Sequence, residues 1–223
     1  MAPPVGGPDV RAAVVLLPAP AWAGDLQPEE FEDAALQPWQ VIGWGEDGAS
    51  AKVRDGTLTV DPETLVMLRE EATPSEWTGS ANRLTGFDVE FRMRLGGDAQ
   101  GGCTGENGTP PTLLWVGDTT DLLQIGFSAT ELCLLYPYGE GHVVTLDALR
   151  WHRYALEVRG QHVRLLVDGR AVLDEILRQT GGGTVGLGLE TYRGTSTWDY
   201  VRYDTAPGRA CTIRGTDGLA HSG

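Results

Sequence analysis

A surplus of positive charge is missing from this chain: 17 lysines and arginines stand against 31 aspartates and glutamates, a formal net charge of −14. Nucleic acid and anionic membrane surfaces both need a basic footprint, so neither is expected as a partner. Also absent is any long stretch with 3.6-residue apolar periodicity, which argues against a helical protein. No apolar run approaches the ~20 residues a helix needs to cross a bilayer, so membrane insertion is not expected. The three cysteines, Cys103, Cys133 and Cys211, lack metal-ligand spacing, and the four histidines, His142, His152, His162 and His221, are scattered. His152, beside Trp151, reads as a packed strand residue rather than a base. No Gly-x-Ser-x-Gly, His-Glu-x-x-His or glycine-rich phosphate loop occurs, which removes the familiar nucleophile, zinc-protease and nucleotide chemistries.

What the chain does have is alternation. Tyr154, Leu156 and Val158 alternate with Ala155, Glu157 and Arg159, and after a Gly160-Gln161 turn Val163, Leu165 and Val167 alternate with Arg164, Leu166 and Asp168. Asp168-Gly169 then separates two such runs, the signature of a two-residue hairpin whose central positions both need positive φ. Asp55-Gly56 repeats the signal between Ala51-Lys52-Val53-Arg54 and Thr57-Leu58-Thr59-Val60, with Pro62 and Glu63 closing that hairpin. Phe87, Val89, Phe91, Met93 and Leu95 form the cleanest apolar face, and Asp88, Glu90, Arg92 and Arg94 point the other way. Further strands are expected at 113–116, 122–127, 131–136, 185–189 and 198–203. With 31 glycines and 13 prolines for turns, the chain reads as all-β, a single sandwich domain over 24–205.

The ends read differently. Residues 1–23 carry an apolar run from Ala12 to Pro20 and end in Ala21-Trp22-Ala23, the small-x-small pattern of a secretory cleavage site. A signal peptide or disordered leader is therefore expected there, a secreted or extracellular location with it, and a flexible tail over 206–223. Cys103 and Cys133 would pair as a disulfide in an exported chain; otherwise Cys133 is a buried thiol in an apolar strand. The turn-rich stretch 96–111 is the longest interruption of the sheet pattern.

Several pieces, in order, carry a resemblance: Phe31-Glu32-Asp33, Val53 to Leu58, Gly86 to Phe91, Trp151 to Tyr154, Val167-Asp168-Gly169 and Trp198-Asp199-Tyr200-Val201. Together they resemble the concanavalin A-like lectin/glucanase domains, in particular the laminin G-like modules of bacterial secreted proteins. The resemblance implies an antiparallel two-sheet β-sandwich, a jelly roll. The glucanases of that fold carry Glu-x-Asp-x-x-Glu on one strand, and this chain has no such motif. Its nearest approach, Asp88-Val89-Glu90, is followed on the same face by Arg92, whose charge favours the ionised carboxylate and opposes a general acid. The expected function is therefore a secreted noncatalytic carbohydrate-binding or adhesion module, with a glycan or an extracellular protein as partner. The alternatives are a diverged glycoside hydrolase or lyase of the same fold and a structural domain of a surface assembly.

Aromatic rings that stack on sugars are the residues to seek for binding, and Trp115, Tyr136, Tyr138, Tyr192 and Trp198 qualify by type. Tyr138 and Tyr192, each close to a glycine in a loop-like segment, are the expected ligand-binding pair. A calcium ion is expected from the resemblance and from the acids it brings together: if the first and last strands adjoin, Glu30, Glu32 or Asp33 approach Asp199, with Asp33 and Asp199 as metal ligands. The competing arrangement has these acids solvated or paired with Lys52, Arg54 or Arg202.

Overall fold

Two aspartates in the left-handed region set the framework. Asp55 and Gly56 have φ of 52° and 73°, and Asp168 and Gly169 have 50° and 80°, as hairpins of that turn class demand. The computed structural model describes residues 27–31, 36, 39–44, 48–69, 77, 80–99, 101–103, 109–118, 121–136, 142–176 and 186–205. The expected leader, the tail, Asp33 and Tyr138 lie outside them. The strands are β1 (Gln27–Glu30), β2 (Gln40–Gly43), β3 (Ala51–Arg54), β4 (Thr57–Val60), β5 (Thr64–Arg69), β6 (Phe87–Leu95), β7 (Thr112–Gly117) and β8 (Leu122–Phe127). They continue with β9 (Glu131–Tyr136), β10 (Val143–Thr145), β11 (His152–Arg159), β12 (His162–Val167), β13 (Arg170–Ile176), β14 (Gly186–Thr191) and β15 (Ser196–Asp204).

They form two antiparallel sheets. One has the order β13-β12-β11-β6-β15-β4-β3, with β1 paired to the far end of β15; the other has the order β10-β9-β8-β7-β14-β5-β2. The architecture is the expected all-β sandwich. Between the sheets lies a core in which Phe91 is the hub: its ring stacks on Tyr154 at 4.8 Å and 8° and meets Phe127 edge-on at 6.0 Å, with Trp198 5.5 Å away. Such offset and edge contacts add to the area the rings bury. Trp77 seals the other end of the core against Phe87 and Tyr203, and its indole N–H donates to Gly117 O at 3.1 Å.

Two features depart from the sequence reading. β5 is a strand that Pro62 and Glu63 appear in sequence to close off; it lies inside the second sheet, between β14 and β2. Asp88 and Glu90 do leave β6 on its outer face, yet both are buried, Glu90 to 2% exposure. Arg159 covers Asp88, while Arg153 and the Tyr200 hydroxyl (2.9 Å) donate to Glu90. These pairings run diagonally across strands: Glu90 stands directly opposite Ala155 and Arg202, and Asp88 opposite Glu157 and Asp204, so each carboxylate is reached by a long side chain two residues along a neighbouring strand. Cys103 and Cys133 form the disulfide that the sequence offered for an exported chain, not the free buried thiol. It fastens the turn-rich segment after β6 to the outer face of β9, where the Cys103 amide also donates to Glu131 at 3.1 Å.

Candidate functional site

The outer face of the second sheet holds the site, and glycine creates it. Leu187 and Leu189 of β14 enter the core, so Gly186, Gly188 and Glu190 line the opposite face. A Cβ on Gly186 would lie 2.5 Å from the Met67 side chain, and one on Gly188 3.1 Å from Leu65 and 3.4 Å from Trp115. Bare backbone there lets the side chains of the flanking strands β5 and β7 lean across β14. Trp115 stands opposite Gly188, and Leu113 and Leu65 stand opposite Glu190 on either side.

Glu190 is consequently shut in, at 5% exposure. Its carboxylate accepts a hydrogen bond from the indole N–H of Trp115 and one from the hydroxyl of Tyr192. Burial raises its pKa above the ordinary glutamate value, and the two donors only partly offset that. Tyr192 is pushed up to about 12, first by its own burial and then by the neighbouring carboxylate. The Tyr192 backbone continues the sheet, its amide donating to Pro111 O at 2.8 Å. The turn after it is seated tightly: at Gly194, φ 69°, a Cβ would lie 2.6 Å from the Ala99 backbone. Trp44 packs on Tyr192 with ring centroids 5.6 Å apart and is itself 46% exposed.

The result is a half-covered aromatic patch, Trp44–Tyr192–Trp115, around one carboxyl group whose burial shifts it toward the protonated form. Among the described strand residues of this face the other carboxylate is Glu131 on β9, three strand positions from β14. That separation is about 14 Å at the usual strand spacing, beyond the ~5–9.5 Å of catalytic carboxyl pairs. Asp88 and Glu90 lie on the other sheet, occupied by arginines.

Of the residues expected to bind ligand, Tyr192 is at this site and Tyr138 lies outside the described residues. Trp115 belongs to the site as well, whereas Trp198 is fully buried in the core. Glu190 and Trp44 had no motif to mark them; the signal available was parity, since the Gly186, Gly188, Glu190 register puts the glutamate on the face with no side chains beside it. As for the expected metal ligands, β1 does pair with the end of β15, with Glu30 opposite Tyr200. The Asp199 carboxylate accepts from Arg92 Nη1 at 2.7 Å, and among the described residues no cluster of three or more acidic, histidine or cysteine side chains is grouped as a metal site.

Among solved structures the chain is similar to a β-glucanase of Bacillus licheniformis, at 15% identity and a TM-score of 0.55, over 82% of this chain and 100% of that one. It is likewise similar to an endo-β-1,3-glucanase from Pyrococcus furiosus, at 13% identity and a TM-score of 0.53, over 82% of this chain and 94% of that one. A third likeness is to the binding domain of botulinum neurotoxin serotype D, at 6% identity and a TM-score of 0.50, over 76% of this chain and 43% of that one. No family model matches the sequence, and no curated protein does. The fold is therefore the concanavalin A-like jelly roll of the glucanases.

Proposed function

We propose that this protein binds a saccharide on the outer face of its seven-stranded sheet, as a noncatalytic module, with Trp44, Trp115 and Tyr192 offering ring surface and Glu190 reading hydroxyl groups. The observation that supports this most is the carboxyl group buried among aromatics, with the other carboxylate among the described strand residues of that face about 14 Å away. Flat apolar rings beside one polar group suit the alternating apolar and hydroxyl faces of a sugar. The Cys103–Cys133 disulfide supports an extracytoplasmic location, since such bonds persist where the surroundings are oxidising.

A second reading, a glycoside hydrolase, has two supports of its own. Several of the similar structures are glucanases, a glycosidic hydrolase or an endo-β-galactosidase, which favours this reading over the noncatalytic one on that count. A glutamate whose pKa burial raises is also shifted in the direction a general acid needs. The test is titration with soluble neutral polysaccharides followed by tryptophan fluorescence, run beside a reducing-sugar assay. Binding that disappears in Trp115→Ala without release of reducing ends supports the module. Release that stops in Glu190→Gln replaces it with the hydrolase.

A further inference from the structure

We propose a second ligand site, for an aliphatic monocarboxylate, in the cleft between the two sheets at the β10 and β13 edge. It lies four strand positions from β14 and owes nothing to the Glu190 patch. β10 has only three residues, too few to cover the seven of β13, and β13 shifts register against β12 between Leu165 and Leu166. The sheets are tied at one end, where His142 Nδ1 lies 3.6 Å from Glu175 Oε1. Beyond that tie a cavity of about 460 Å³ opens, a size typical of small-ligand pockets.

Its lining is chemically simple. Leu132 and Val167 form a buried floor continuous with the core, and Val144, Leu146 and Val172 are partly buried walls packed against it. Thr145, Ala171 and Arg170 complete the lining. Arg170 is its single charge, and the nearby acids are engaged elsewhere: Asp168 by His152, Asp174 by His162 and Arg164, and Glu175 by His142. An apolar trough ending at a guanidinium without a carboxylate partner among the described residues complements an alkyl chain ending in a carboxylate. The chain takes the place of water over the core residues, and the head group makes charge-assisted hydrogen bonds to Arg170.

Calorimetric titration of the full chain at neutral pH, below micelle concentrations, tests this with octanoate, decanoate, decanol and decyltrimethylammonium. Decanoate should bind about fifteenfold more tightly than octanoate, from about fourfold per methylene buried. It should also exceed decanol about tenfold or more, and the cationic amphiphile should not compete. Arg170→Gln should remove the preference for decanoate over decanol while keeping the response to chain length. Val144→Trp or Val172→Trp, one on each wall of the cavity and partly buried, should abolish binding in a protein with unchanged circular dichroism. Failure of the parent protein to bind decanoate, equal affinity for decanol, or unaltered binding in both tryptophan variants would overturn the proposal.

Discussion

The indole N–H of Trp115 on β7 donates to the carboxylate of Glu190 on the neighbouring strand β14. The bond joins the largest ring on that face to its most buried acid, so the two residues should fail differently when changed. Glu190→Ala leaves the Trp115 and Tyr192 donors without their acceptor and should cost about 2 kcal/mol of stability, read by denaturant unfolding. Glu190→Gln keeps an acceptor and should cost less than half of that.

The same carboxyl gives a pH signature. Its pKa is raised in the folded protein, so the folded state holds the proton more tightly than the unfolded chain. Stability from this group is then complete below the ordinary glutamate value of about 4.3 and declines as pH rises through the higher folded value. Glu190→Gln should remove that decline, which unfolding measured from pH 4 to 8 will show. A profile identical to the parent's would count against the assignment.

Asp168 behaves in the opposite sense. Burial alone would raise its pKa, but hydrogen bonds from His152 (2.6 Å) and the Arg153 amide (3.0 Å) outweigh burial and hold it below the usual value. Its contribution is present above the unfolded value of about 3.9 and is lost as pH falls through the folded one. Asp168→Asn, which still suits a left-handed turn position, should flatten the acid limb of the stability curve and leave neutral pH affected by less than ~1 kcal/mol.

The Glu90 and Arg153 pair should be lopsided. Glu90 is buried while the Arg153 side chain is half exposed. Arg153→Ala removes the arginine from a buried carboxylate that keeps the Tyr200 hydroxyl and should cost about 3 kcal/mol. Glu90→Ala frees an arginine that reaches water and should cost about 1 kcal/mol. A double-mutant cycle by thermal unfolding measures the difference.

Reduction of Cys103–Cys133, a closure spanning 30 residues, should lower stability by about 3 kcal/mol. The Cys103→Ala, Cys133→Ala variant should unfold at the same lower temperature with and without reductant.

Much of this fold could be read from the chain, because its strands alternate and its turns are chemically marked. Asp55-Gly56 and Asp168-Gly169 place four strands, and Phe87 to Leu95 fixes the inward face of β6. β5 escaped because Leu65, Val66, Met67 and Leu68 are apolar in succession: an interior strand covered on both faces loses the alternation that identifies a strand. β10 is too short to show a pattern. The site was legible in part, through Trp115 and Tyr192 as aromatic types. Glu190 was not, since its burial comes from side chains of two strands distant in sequence leaning over glycines. Asp88 and Glu90 show the reverse error, an outer face mistaken for a wet one because the covering arginines come from β11.

The positions of β14 and β15 bear on how the chain is made. Both are the latest-synthesised described strands, yet neither is an edge: β14 inserts between β7 and β5, and β15 between β6 and β4 with β1. Until residue 191 has left the ribosome the second sheet is split between β7 and β5, and until residue 204 has done so the first is split between β6 and β4. The nascent chain therefore carries open strand borders until β14 and β15 emerge. Its assembly waits on long-range pairings that close late and slowly.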